Sequence, residues 1–184
     1  MTATASLSED HRTIEMMLPA LERMARQFEV GEFVRGYDLA RVLEFLREFV
    51  DGYHHWKEEQ QLFPALEARG VPQDSGPVPE LLEEHERARR CVRVMTAAMA
   101  EEIGEDPGAE ADFAQYARQY LGLLREHIQK EERELWPLAA EALTEEDGAR
   151  LRDAYAEIEH EVIGEGGRER FREMAESLGG AAQQ

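Results

Sequence analysis

Apolar residues recur three or four positions apart along most of the chain, which is the period of an amphipathic α-helix. The alternation of apolar and polar residues that marks a half-buried strand is absent from the sequence. The sequence therefore predicts an all-α protein. Loop signals rich in proline and glycine divide the first part of the chain into four long helices, with boundaries near 6–30, 38–70, 79–103 and 113–143.

Two further helices are predicted at about 145–162 and 168–178, separated by the glycine-rich stretch GEGG. Short loops place consecutive helices side by side and in opposite directions. We therefore predict an up-down-up-down antiparallel four-helix bundle in residues 1–143. Residues 144–184 are predicted to form an additional C-terminal helical segment packed on or beside the bundle, ending in a disordered GGAAQQ tail.

Local signals support some of these boundaries. Ser6 followed by Glu9 predicts a capping box at the start of the first helix, and Thr144 with Asp147 marks the start of the fifth. Pro19 lies inside the first helix, where a proline predicts a kink.

The charge of the chain restricts its partners. Forty acidic and 21 basic side chains give a formal net charge of −19, which argues against nucleic acid or an anionic membrane surface as a partner. No apolar stretch approaches the roughly 20 residues that span a bilayer, and no secretory signal pattern is visible. With a single cysteine, Cys91, the expected location is the reducing cytoplasm, for a monomer or homodimer.

A repeated motif gives the first indication of chemistry. HHWKEEQQLFP at 54–64 and HIQKEERELWP at 127–137 share His, Lys, Glu, Glu, Leu and Pro at identical offsets. In each copy a histidine precedes a glutamate by four residues, so both side chains lie on the same helix face. A frame repeated within one small chain favours a site over a charged surface.

Each of the four predicted core helices carries one histidine on its apolar stripe, namely His11, His54, His85 and His127. Burying these imidazoles together with Glu58 and Glu131 is costly unless a cation binds them. Imidazole and carboxylate ligands without sulfur suit iron, manganese or zinc, and a structural zinc site is usually closed and four-coordinate. Two iron ions, with the carboxylates able to bridge them, fit this set best, and manganese or zinc fits less well.

The full pattern resembles the hemerythrin-like, or HHE cation-binding, domain. It comprises an early histidine, H-x-x-x-E followed by L-F-P, a histidine in the third helix and a second H-x-x-x-E, over about residues 8–143. The resemblance implies a four-helix bundle with a non-haem di-iron centre, oxo- or hydroxo-bridged, that binds dioxygen, peroxide, nitric oxide or iron itself. It implies terminal ligands and carboxylate bridges at His11, His54, His85, His127, Glu58 and Glu131.

This sequence departs from the family pattern in two places. The oxygen carriers of the family have a further histidine four residues after the third-helix histidine, where this chain has Arg89. They also use an aspartate as the last bridge at the position of Glu132, whereas the internal repeat favours Glu131. A replacement ligand, or a residue that supports the ligands, is predicted at Glu15, four residues after His11, or at His160.

Other residues near the motifs receive simpler interpretations. His55 is about 100° around an α-helix from His54, so we expect it to support a ligand or to be exposed. Tyr116 and Tyr120 share the stripe of His127 and are expected to fill the core.

The motif is compatible with more than one function. The leading hypothesis is a di-iron protein that binds or senses a small diatomic molecule, peroxide or iron. The alternative is an enzyme with catalase- or peroxidase-like activity, or one that detoxifies nitric oxide, at the same centre. A ferritin-like oxidase is disfavoured, because such sites use Glu-x-x-His, and here only Glu157 and His160 fit that spacing outside the bundle. A purely structural bundle would leave the repeated motif as an accident.

Overall fold

The structure is a computed structural model that describes residues 3–100 and 107–180. Six helices make up all the regular secondary structure in these two ranges, and no strand occurs there. This confirms the all-α prediction. The helices are α1 (Ala3–Glu29), α2 (36–68), α3 (Pro77–Ala100), α4 (107–142), α5 (145–163) and α6 (Gly167–Gly180).

Several predicted boundaries are confirmed and others shift. Thr144 and Asp147 form the expected capping box, in which the Asp147 carboxylate accepts from the Thr144 N–H at 2.9 Å. In contrast, α1 begins before Ser6, which is therefore an interior residue and not a cap. Helix α4 already starts at Pro107, because proline suits the first helical turn and alanines follow it.

The ends of two predicted segments lie partly outside the described residues. The expected end of the third helix near Ile103 falls in the undescribed range 101–106. Of the predicted disordered tail, Gly179 and Gly180 are helical in α6, and 181–184 lie outside the described part of the chain. Pro19 is exposed within the unbroken helical span of α1.

Helices α2 and α4 change their winding at the repeated motifs. In α2 the α-helical turns give way to π-helical ones at Phe45–His55 and Glu58–Leu62, and in α4 at Glu131–Leu135. Proline lacks the N–H that continues an α-helical ladder, and Pro64 and Pro137 each follow closely after a π-helical segment. Such wide turns, with i→i+5 hydrogen bonds, occur frequently at functional sites.

Most of the core lies between α1, α2, α3, α4 and α6. Helix α1 packs along α4 and α6, and α3 packs along α4. Phe171 of α6 packs against Phe45 and Phe49 of α2, with ring centroids 5.8 and 5.3 Å apart. Among the described helices, none combines the length and the apolar character needed to cross a membrane.

Helix α6 approaches α1 closely at its C-terminal end. A Cβ atom added to Gly179 would overlap the carbonyl oxygen of Met16. The Arg23 guanidinium donates a hydrogen bond to the Leu178 carbonyl at 3.0 Å nearby. Glycine at position 179 is therefore a packing requirement between the two backbones.

We expect Gly179→Ala to destabilise the protein by about 1 to 3 kcal/mol, because the added methyl group forces α6 away from α1. Thermal unfolding would detect this as a drop of roughly 2–4 °C for each kcal/mol in a domain of this size. Gly180→Ala is the matched control, since nothing lies within 4 Å of the added carbon. Equal melting temperatures for the two variants would contradict the packing argument.

Candidate metal centre

The six residues predicted as ligands all lie in the protein interior, on helices α1 to α4. Each side chain is at most 2% exposed. They form two groups in which the potential ligand atoms lie within 4.8 Å of one another. One group contains His11 and His54, the other contains His85 and His127, and both groups contain Glu58 and Glu131.

The carboxylate of Glu131 faces both groups of histidines. Its Oε2 atom lies 2.9 Å from Nε2 of His11, and its Oε1 atom lies 3.1 Å from Nε2 of His127. The two oxygens of one carboxylate therefore serve histidines from two different helices, α1 and α4.

Glu58 repeats this arrangement from the opposite helix. Its Oε1 atom lies 3.6 Å from Nε2 of His54, and its Oε2 atom lies 3.5 Å from Nε2 of His85. The pair of carboxylates thus separates two sets of imidazole nitrogens, which is the arrangement that two bridged metal ions require.

A fifth histidine, His55, forms a separate group with His85 and His127 that does not include Glu58 or Glu131. His55 is 1% exposed, and its potential ligand atoms lie within the same 4.8 Å limit from those of His85 and His127. Its ring stacks on that of His85 with 3.9 Å between centroids. The expectation that His55 could be exposed is wrong. It assumed the rotation per residue of an α-helix, whereas the wider π-helical turn rotates less from His54 to His55.

A ring of carboxylates surrounds the five histidines on the side of their Nδ1 atoms. Because a carboxylate only accepts hydrogen bonds, it favours the hydrogen on Nδ1 of His11, His54, His85 and His127, and Nε2 is then the nitrogen that could ligate a metal. The five distances are 3.3 Å for His11–Glu132, 3.4 Å for His54–Asp10, 3.5 Å for His55–Asp51, 2.7 Å for His85–Glu59 and 2.9 Å for His127–Glu84.

This ring separates the roles of two adjacent glutamates. Glu131 is fully buried between the histidines, whereas Glu132 is 50% exposed and contacts only the outer nitrogen of His11. The geometry thus favours Glu131 as the inner carboxylate, in agreement with the internal repeat.

Arg89, which stands where the family's oxygen carriers have a histidine, belongs to the same outer ring. Its guanidinium donates to Asp51 at 2.7 Å and to Glu59 at 2.5 Å. These are the carboxylates behind His55 and His85, so Arg89 fixes the orienting groups and does not itself approach the inner carboxylates.

The two additional candidates lie elsewhere. The side chains of Glu15 and His160 are exposed, and neither belongs to a group of converging ligand atoms. Tyr116 and Tyr120 pack in the apolar core as expected, Tyr116 at its edge and Tyr120 fully buried.

A buried ion pair lies beside the centre, and a residue of the C-terminal helix α6 contacts it. Asp10, which faces His54, forms an ion pair with Lys57, and both side chains are fully buried. Arg168 of α6 also contacts Asp10, at 3.2 Å. Sequence reasoning missed Asp10 and Lys57, although each is the direct neighbour of a predicted ligand, His11 and Glu58.

The protonation states of the inner groups differ sharply. Burial and the neighbouring Glu131 carboxylate raise the pKa of Glu58 well above its usual value. Burial acts on Glu131 in the same direction, but His127 and His11 outweigh it and lower the pKa of Glu131 well below its usual value. Burial lowers the pKa of His127, yet Glu131 and Glu84 together raise it to about 9.

Burial favours the neutral form of three other imidazoles, those of His54, His55 and His85. Burial lowers the pKa of His54 to about 3 despite the nearby Asp10, and burial also lowers the pKa of His55. Burial and the two neighbouring histidines lower the pKa of His85 well below its usual value. Neutral imidazole is the form that ligates metals.

Unpaired polar atoms show that the residues fit a metal centre. Within the described residues, Nε2 of His11 and of His54, both nitrogens of His55 and all four oxygens of Glu58 and Glu131 are buried without a well-formed hydrogen bond. Such atoms are rare in protein interiors because each costs about 1–3 kcal/mol. The lone pairs of the carboxylate oxygens and of Nε2 of His11 and His54 converge on the two groups that share Glu58 and Glu131, where divalent cations would satisfy them.

Comparison with known proteins agrees with this geometry. The chain is similar to uncharacterized proteins of Mycobacterium bovis and Mycobacterium tuberculosis, with 24% identity over 167 residues in each case. The alignment covers 91% of this chain and 65% of each relative, so the chain spans less than two thirds of their length. No solved structure gives a significant match.

A family model matches residues 2–139, which is most of the chain and includes all seven inner residues of the centre. Helices α5 and α6 follow the matched region. The chain therefore belongs to the hemerythrin HHE cation-binding domain family.

Proposed function

We propose that the protein holds two iron ions at this centre and binds a small exogenous ligand there, either dioxygen, peroxide or nitric oxide. One observation carries the proposal: Glu131 presents its two oxygens to His11 and His127, and Glu58 presents its two oxygens to His54 and His85. In this proposal α1 to α4 form an antiparallel four-helix bundle, and each contributes at least one ligand.

The donor set favours iron. It contains five imidazoles and two carboxylates, and mixed nitrogen and oxygen ligands without sulfur suit iron, with manganese and zinc as weaker alternatives. Bound iron would supply Lewis acidity and a change of oxidation state for the exogenous ligand.

The two halves of the centre are unequal. His55, His85 and His127 serve one metal position, and His11 and His54 serve the other. The position with two histidines has fewer protein donors, so we assign the exogenous ligand to that side. The protein's own part is to orient the imidazoles through their Nδ1 atoms and exclude bulk water.

Anaerobic iron loading tests the metal assignment. We expect about two irons per chain by elemental analysis, and Glu131→Ala should bind iron at least tenfold more weakly because both positions lose a donor. Glu134→Ala removes the same charge from an exposed position of the same π-helical segment and should retain both irons. One zinc per chain, or no metal after loading, would contradict the proposal.

Metal binding should release protons. A pKa of about 9 leaves His127 protonated at pH 7 in the absence of metal, and it must lose this proton to act as a ligand; burial and Glu131 also raise the pKa of Glu58, which favours its protonated form. Iron affinity should therefore rise with pH from 6 to about 9, where His127 loses its proton without metal. Calorimetric titration at pH 7 in buffers of different ionisation enthalpy should show proton release, with at least the proton of His127 leaving on metal binding. A binding enthalpy independent of the buffer would contradict this.

His55→Phe tests the fifth histidine. Phenylalanine keeps a ring that can stack on His85 but removes the nitrogen donors, so we expect one of the two irons to bind at least tenfold more weakly. His160→Phe is the control, since His160 is exposed and outside the ligand groups. Two irons bound by His55→Phe with the wild-type affinity would show that His55 only packs against the centre.

A further inference from the structure

A cavity of about 350 Å³ opens between α2 and α3, next to the metal centre. Leu46, Val92 and Tyr120 give it apolar walls, and His55 is part of its lining. Ligand-binding cavities for small organic molecules start at about 300 Å³. The cavity is therefore far larger than a diatomic molecule or peroxide needs.

Three arginines also line this cavity, namely Arg47, Arg89 and Arg93. Arg89 is held by Asp51 and Glu59, as described above. Arg47 and Arg93 are exposed, and neither has an acidic partner among the residues that the structure describes. Asp51 is the sole acidic residue in the lining. The cavity lining is therefore a positively charged region in a chain whose net charge is −19.

The cavity thus has the two features that recognise an amphiphilic anion. Its apolar walls can bury a hydrocarbon body, and its arginines can pair with a carboxylate, since guanidinium groups match that shape with two parallel hydrogen bonds. His55 adds a buried side chain whose two ring nitrogens lack a well-formed hydrogen bond.

We propose that this cavity binds a small organic anion with an apolar body, such as a medium-chain carboxylate, with the carboxylate at Arg47 and Arg93 and the chain against Leu46 and Val92. The link between the cavity and the metal centre, through His55, rests on the proposed function. Binding of the anion itself does not require metal.

Calorimetric titration of octanoate into the full-length chain, after metal removal, tests the proposal. We expect saturable binding of one octanoate per chain, and at least tenfold weaker binding in the double variant R47Q/R93Q. The control R87Q/R90Q removes two arginine charges from exposed positions of α3 that do not line the cavity, and it should bind within twofold of the wild type.

A second variant tests the apolar part. Ala88→Leu enlarges a wall residue without changing charge and should also weaken octanoate binding at least tenfold. The circular dichroism spectrum and melting temperature of each variant would establish that it folds.

Three results would overturn the proposal. They are no saturable binding by the wild type, equal weakening in the two arginine pairs, or binding of 1-octanol as tight as that of octanoate. The titration uses metal-free protein, so its result does not depend on whether the di-iron proposal is correct. Conversely, a chain that binds two irons could still fail to bind octanoate.

Discussion

The close approach of Glu58 and Glu131 in the protein interior is the constraint on which the centre depends. Two buried carboxylates cannot both remain charged without nearby cations, since each pays a large desolvation penalty. In the absence of a cation, the raised pKa of Glu58 favours its neutral form, and the positive charge of His127 compensates Glu131. The burial of so many unpaired lone pairs makes sense when the cations belong to the protein's working form.

The outer ring of carboxylates follows from that constraint. A ligand histidine must keep Nε2 free, and a carboxylate at Nδ1 fixes both the tautomer and the ring orientation. The ring also extends the centre into the C-terminal segment, because Arg168 of α6 contacts Asp10, which faces His54. Helix α6 lies beyond the region matched by the family model. The contact of Arg168 with Asp10 therefore comes from outside the part of the chain that this model describes.

The repeated frame allowed most of the inner centre to be predicted from sequence, because spacing of four residues determines which side chains share a helix face. The all-helical fold followed from the same periodicity. His55 was misplaced because that periodicity assumes α-helical winding, and nothing in the hydrophobic pattern reveals a π-helical turn.

Two other features could not be predicted from the sequence because they depend on contacts between distant parts of the chain. The contact between Asp10 and Arg168 joins residues 158 positions apart, and the closure of α6 on α1 at Gly179 depends on backbone proximity. Glu15 shows the opposite error: its spacing from His11 is correct, yet its side chain is exposed. Spacing predicts a shared face within one helix, whereas the packing of the other helices decides which part of that face is buried.

The position of the cavity bears on how the two proposals relate. The cavity adjoins His55, on the side with three histidines, whereas we assign the exogenous ligand to the side of His11 and His54. An anion in the cavity would therefore act on the centre through His55 and the ring stacked on it, His85, and not by competing for the open position. Asp51 lies 3.5 Å from Nδ1 of His55 and also lines the cavity, so a carboxylate bound at Arg47 and Arg93 would add a second negative charge to the cavity that Asp51 and His55 share. In this arrangement, the negative charge of an anion in the cavity would affect the strength of His55 as a metal donor, and Asp51 would connect the two.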